Sequence, residues 1–124
     1  MVKLRALKRR TEIERLWGQG KRIGSPWLLL VVLCREGGGE EMGYLISVSR
    51  RRVRRAVART RLRRLLREAV RRVVQEYEHR ELPLAATALV WRAALGWEEV
   101  RRLRLGDVLP QIRELFQRAC AECR

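Results

Sequence analysis

Apolar residues recur at three- and four-residue steps from Leu62 onward: Leu62, Leu65, Leu66, Ala69, Val70, Val73 and Tyr77. That period predicts an amphipathic helix with one buried face, running to about Glu78. Upstream, the pattern changes. Trp27 to Cys34 is a near-continuous apolar run, which predicts a strand covered on both faces. Met42 to Ser49 alternates and reads as a second strand, returning from a hairpin loop over Arg35 to Glu41 that contains Gly37, Gly38 and Gly39. Thr11 with Glu14 three residues on forms a capping box, and Ile13, Leu16 and Trp17 share a face before Gly18 and Gly20 stop that first helix.

Beyond Pro83, Ala85 to Arg92 predicts a further strand, so strand, helix and strand follow in order and imply a crossover with parallel pairing. Trp97 to Leu105 predicts a short helix with Val100 and Leu103 inward. Asp107 can cap the last helix, with Pro110 tolerated in its first turn. Ile112, Leu115, Phe116, Ala119 and Cys123 form its apolar stripe. The expected order is α-β-β-α-β-α-α, with a short extra strand near Lys21 to Ser25. Residues 1–124 read as one α/β domain, an α+β two-layer sandwich whose first ten residues are a loose basic arm.

Charge changes the picture. The chain carries a formal +15, and Arg50 to Arg72 alone holds 12 arginines and one acid, Glu68. Self-repulsion at that density calls for a polyanionic partner, and nucleic acid fits best. Only Lys3, Lys8 and Lys21 of the 29 basic residues are lysine, and guanidinium forks suit phosphates and bases. On a helical wheel Arg61, Arg64, Arg67 and Arg71 fall opposite the apolar stripe, with Arg63 and Arg72 on its flanks. Arg54, Arg55, Arg59 and Arg61 crowd the helix start, where the helix dipole disfavours bases, and a bound phosphate would satisfy that end.

Catalytic chemistry is sparse. There is no Gly-rich phosphate loop, Asp107 is the only aspartate, and His79 is the only histidine. No catalytic residue is assigned. Cys120 and Cys123 lack a second ligand pair, so no metal site is assigned either. An odd cysteine count without an export signal reads as reduced thiols in the cytoplasm. No apolar run is long enough to span a membrane.

Ala56-Val57-Ala58-Arg59-Thr60-Arg61-Leu62-Arg63-Arg64-Leu65-Leu66-Arg67-Glu68-Ala69 resembles the signature helix of the bacterial ribonuclease P protein subunit. That family's pattern is Ala-Val-x-Arg-Asn-Arg, an apolar residue, Lys/Arg-Arg, two apolar residues and Arg-Glu or Arg-Gln. Gly43 to Ser49 is similar to the family's upstream strand, Leu7 to Arg22 to its opening helix, and Leu89-Val90-Trp91-Arg92 to its later strand. Thr60 stands where asparagine is usual, and Arg54 and Arg55 where Gly-Asn is usual.

The resemblance implies a fold like the second domain of ribosomal protein S5. It implies that an RNA subunit, using Mg2+ that it holds itself, removes the 5′ leader of precursor tRNA. The protein binds no cofactor of its own. Arg50, Arg51, Arg52, Arg54, Arg55, Arg59, Thr60, Arg61, Arg63, Arg64 and Arg67 would meet the catalytic RNA. The leader would lie in a cleft where family aromatics align with Ile13, Trp17 and, nearby, Val31, with Trp27 a further contributor. Trp17 either stacks a base there or packs beside Leu16. A ribosomal RNA-binding protein without processing activity remains the alternative. A DNA regulator is weaker, because the arginine helix offers only Thr60 among residues that read base edges.

Overall fold

The structure, a computed structural model, describes residues 2–36, 40–78 and 82–124. Gly37, Gly38, Gly39 and His79 therefore lie outside the described residues. The elements are β1 (Lys3–Ala6), α1 (Arg10–Gln19), β2 (Lys21–Gly24), β3 (Leu28–Cys34), β4 (Glu41–Val48), α2 (Ala56–Gln75), β5 (Leu84–Trp91), α3 (Trp97–Arg102) and α4 (Leu105–Glu122). The strands form one sheet in the order β1-β4-β5-β3-β2.

Alternation along β3 divides the core. Leu28, Leu30 and Val32 point to the side of α2 and α4, where they join Leu62, Leu66, Ile112 and Phe116 in the main cluster. Leu29, Val31 and Leu33 point to the reverse face, with Leu7, Leu16 and the α1 side chains Ile13 and Trp17. The extra strand near Lys21 is β2, paired antiparallel with β3. The crossover is also present: α2 connects β4 to β5, which run parallel from Gly43 opposite Ala86 to Val48 opposite Trp91.

Several expectations are corrected. The predicted hairpin between the second and third chain segments does not form, because β5 lies between β3 and β4 and hydrogen-bonds to both. A central strand needs apolar faces on both sides, which β5 supplies with Leu84, Ala86, Ala88, Leu89 and Trp91 buried. The loose arm is wrong for Lys3–Ala6, a strand parallel to β4 whose next residue, Leu7, is buried.

Thr11 is not a cap. The Ile13 amide bonds the Arg9 carbonyl at 3.1 Å, so the N-cap is Arg9, two residues earlier, and Glu14 pairs with Arg10 at 2.8 Å. Gly18 lies inside α1. Only Gly20 ends it, where a Cβ would collide with the Leu16 carbonyl and the Val31 side chain.

The helix ends shift for similar reasons. Helix α2 stops at Gln75 rather than Glu78, and α3 stops at Arg102, leaving Leu103 as its C-cap. Asp107 is the third residue of α4, where its carboxylate accepts the Arg104 amide at 2.8 Å. With the helix starting at Leu105, Pro110 falls in the second turn, and its missing N–H lies opposite Gly106.

The reduced-thiol reading is corrected as well. The fold brings the end of β3 to the end of α4, and Cys34 and Cys123 are joined by a disulfide across a 5.3 Å Cα separation. Cys120 stays a buried thiol, its pKa pushed up chiefly by burial. Among the described residues no helix is long and apolar enough to cross a membrane.

Candidate nucleic-acid interface

The basic surface starts at a turn. The Arg52 and Val53 amides both bond the Ser49 carbonyl, at 3.2 and 3.0 Å, so the chain folds tightly as it leaves β4. Val53 is fully buried, and the Leu95 amide bonds the Arg52 carbonyl at 3.0 Å. Pinned from below and from the side, the turn projects Arg50, Arg51, Arg52, Arg54 and Arg55 into solvent. Arg55 is then the N-cap of α2, with no side-chain cap and no acid in the first turn.

The arginines of this region divide into two sets. Arg59 reaches back from the first turn of α2 and donates to the Val53 and Arg54 carbonyls at 3.0 and 2.7 Å. Arg61 donates to the carbonyls of Val100 and Arg101, at 3.4 and 3.0 Å, and so ties α3 to α2. Arg61 is accordingly half-buried against α3 and does not stand opposite the apolar stripe as the helical wheel predicts. Arg71 and Arg72 both bond Glu68 and hold its carboxyl at about 2, well below the usual range. Arg50, Arg51, Arg52, Arg54, Arg55, Arg63, Arg64 and Arg67 make no side-chain hydrogen bond or ion pair among the described residues.

Helix α3 turns this surface into a groove. A depression of about 500 Å³ runs between it and α2, lined by the polar Thr60, Arg61, Arg64 and Glu68 and the apolar Val57, Leu65 and Trp97. A second depression, with Arg51, Arg52, Arg54 and Arg55 on its rim, meets Trp97 from the other side. The Arg55 guanidinium lies 5.7 Å from the centre of the Trp97 ring. Sequence reasoning did not assign Trp97 a role. Its place depends on Arg61 gripping carbonyls 39 and 40 residues away, which no local pattern reports.

Of the four expected cleft residues, Ile13, Trp17 and Val31 sit together and Trp27 does not. Ile13 and Trp17 are half-buried on α1, over the reverse face of the sheet. Val31 is fully buried beneath them. Next to α1 that face carries the small residues Gly43, Ala86 and Ala88, with Leu7 and Leu45 beside them. At Gly43 a Cβ would press on Leu7. Trp27 lies elsewhere, 38% exposed near α3, with its ring 5.8 Å from that of Trp91.

Among the described residues no three His, Cys, Asp or Glu side chains gather as metal ligands. Glu12 is taken up by Arg5 at 3.3 Å and Glu14 by Arg10 at 2.8 Å.

Comparison with known proteins agrees with this picture. The family described as Ribonuclease P matches residues 1–120. The ribonuclease P protein component of Gluconacetobacter diazotrophicus is 32% identical over 114 residues, covering 91% of this chain and 89% of that protein. The fold is similar to the solved RNase P protein of Thermotoga maritima, with a TM-score of 0.70 at 21% identity over 92% of this chain and 96% of that one. It is also similar to the RNase P protein of Staphylococcus aureus, with a TM-score of 0.65 at 14% identity over 92% and 94% of the two chains.

Proposed function

The chain belongs to the ribonuclease P protein family, and on that premise we propose that it anchors the catalytic RNA and guides the precursor-tRNA leader. Its class is RNA binding in tRNA processing, as a component of an endoribonuclease. In this reading the RNA carries the catalytic groups and its own Mg2+, which supplies the hydrolytic chemistry.

The observation that carries the proposal is the set of eight arginines, on the turn after β4 and along α2, whose side chains make no hydrogen bond or ion pair among the described residues. A protein that only had to fold would mix signs there or pair the guanidiniums. Phosphates would engage Arg50 to Arg55 and the start of α2, which has no side-chain cap. Arg59 and Arg61 act indirectly, by holding the turn and α3 in place. The leader would cross the reverse face beside α1, over small side chains, with Trp17 as the stacking group. Such stacking tolerates any base, as a variable leader requires.

The test is reconstitution. Purified protein, catalytic RNA and precursor tRNA are combined at low magnesium, and leader removal is measured. The protein should raise the rate over RNA alone and cleave nothing by itself. An unchanged rate would overturn the reading and leave a ribosomal RNA-binding role. In the same system Trp17→Ala should weaken binding of leader-bearing precursor by roughly 1–3 kcal/mol relative to mature tRNA. Equal losses for both would reduce Trp17 to a packing residue.

A further inference from the structure

We propose that the groove between α2 and α3 receives one unpaired nucleotide of the bound RNA, with its base against Trp97. The inference rests on the RNA-binding reading above and names the part of the RNA that meets this place.

Phosphates alone need only the arginines. The groove offers something they do not use, an apolar lining of Val57, Leu65 and Trp97 beside Arg61 and Arg64, with its one acid, Glu68, already held by Arg71 and Arg72. Val57, the second residue of α2, is 52% exposed, and it lines the same depression as Trp97 and, two turns further along the helix, Leu65. Duplex RNA presents stacked bases and a sugar–phosphate surface, which gain little from such a lining. An unstacked base gains a hydrophobic contact and an aromatic partner. The volume of about 500 Å³ suits a single nucleotide.

Polar groups stand where the rest of a nucleotide would be. Arg64 can meet its phosphate, and the Thr60 hydroxyl can donate or accept at a base edge or a 2′-hydroxyl. The site is built before RNA arrives. Arg61 holds the last carbonyls of α3, and Arg55 lies over the Trp97 ring from the neighbouring depression, so the indole is positioned by the protein itself.

The experiment compares three RNAs with the full-length protein: a short single strand, the same strand with abasic riboses, and a duplex of equal charge. Trp97→Leu should weaken the single strand roughly 5- to 150-fold and leave its salt dependence unchanged, because no phosphate contact is lost. Binding of the abasic strand and the duplex should stay near the unaltered value, and Trp97→Phe should recover most of the loss. Equal losses on all three RNAs, or no loss on any, would overturn the proposal.

If Trp97→Leu does not fold, the unaltered protein is photo-crosslinked to a 5-iodouridine strand. An adduct on Trp97 is expected, and adducts confined to Trp17 or Trp27 would sink the idea. Failure of the unaltered protein to bind any RNA would instead refute the RNA-binding reading itself.

Discussion

The two long helices, α2 and α4, do the same structural job with opposite surfaces. They span 20 and 18 residues and lay apolar stripes on the same face of the sheet. Helix α2 buries Leu62, Leu66, Val70 and Val73, among others, and α4 buries Val108, Ile112, Leu115 and Phe116. Their outward residues differ. On α4 both arginines have protein partners, Arg113 with Glu76 at 2.7 Å and Arg118 with the Gly24 carbonyl at 3.0 Å. On α2, Arg63, Arg64 and Arg67 have none among the described residues.

The first turns differ in the same sense. Asp107 sits where the dipole of α4 favours an acid, whereas α2 opens with arginines and no side-chain cap. Packing therefore accounts for both stripes and for the charges of α4. It does not account for Arg54, Arg55, Arg63 and Arg64, whose side chains make no hydrogen bond or ion pair among the described residues.

The sharpest break of the shared part is a cavity in each stripe. Leu66→Ala and Ile112→Ala remove fully buried side chains, and each should cost about 2–5 kcal/mol in denaturant unfolding. A much smaller loss for Leu66→Ala would mean that α2 is held by something other than its stripe. The contrast itself is tested by charge. Arg64→Ala with Arg67→Ala should lower the log–log salt slope of single-stranded RNA binding by about 1.4, at about 0.7 per phosphate contact. Arg113→Ala with Arg118→Ala should leave that slope alone and cost only stability. The reverse outcome would move the RNA surface to α4.

Much of this contrast was legible in the residues. The three- and four-residue period from Leu62 to Val73 located the buried face of α2, and the clustering of one sign pointed to a polyanionic partner. What local pattern could not give was contact across the chain. Sequence neighbours suggested that β3 and β4 pair, yet the chain-order neighbour of a strand says nothing about a later strand inserted between them. Arg59 and Arg61 have the same side chain as Arg63 and Arg64, and only the positions of the Val53, Arg54, Val100 and Arg101 carbonyls turn them inward.

The aromatic residues failed for a related reason. Trp17 could be placed by the face it shares with Leu16, but Trp27 belongs to the Trp91 side and Trp97 to the groove. Both assignments depend on how α3 docks. The cysteines obey the same rule. Cys34 and Cys123 are 89 positions apart in sequence, and their pairing appears only once β3 and α4 are adjacent.

The smallest expected effect concerns Glu68, the one acid on α2. Hydrogen bonds from Arg71 first, and then Arg72, pull its carboxyl down to about 2 from an ordinary 4.5. A carboxyl lowered by folding stabilises the native state above its unfolded value, and that contribution disappears as pH falls toward the folded one. Thermal midpoints of the unaltered protein and Glu68→Gln should therefore converge between about pH 4.5 and 2, from a modest gap at neutral pH fitting an exposed cluster. A gap that persists to pH 2 would show that the cluster carries no pH-linked stability. The same substitution releases Arg71 and Arg72. If Glu68 is what confines the open charge of α2 to the stretch ending at Arg67, the salt slope of RNA binding should steepen in Glu68→Gln. An unchanged slope would place the RNA wholly on the turn and the first three turns of the helix, out of reach of the freed pair.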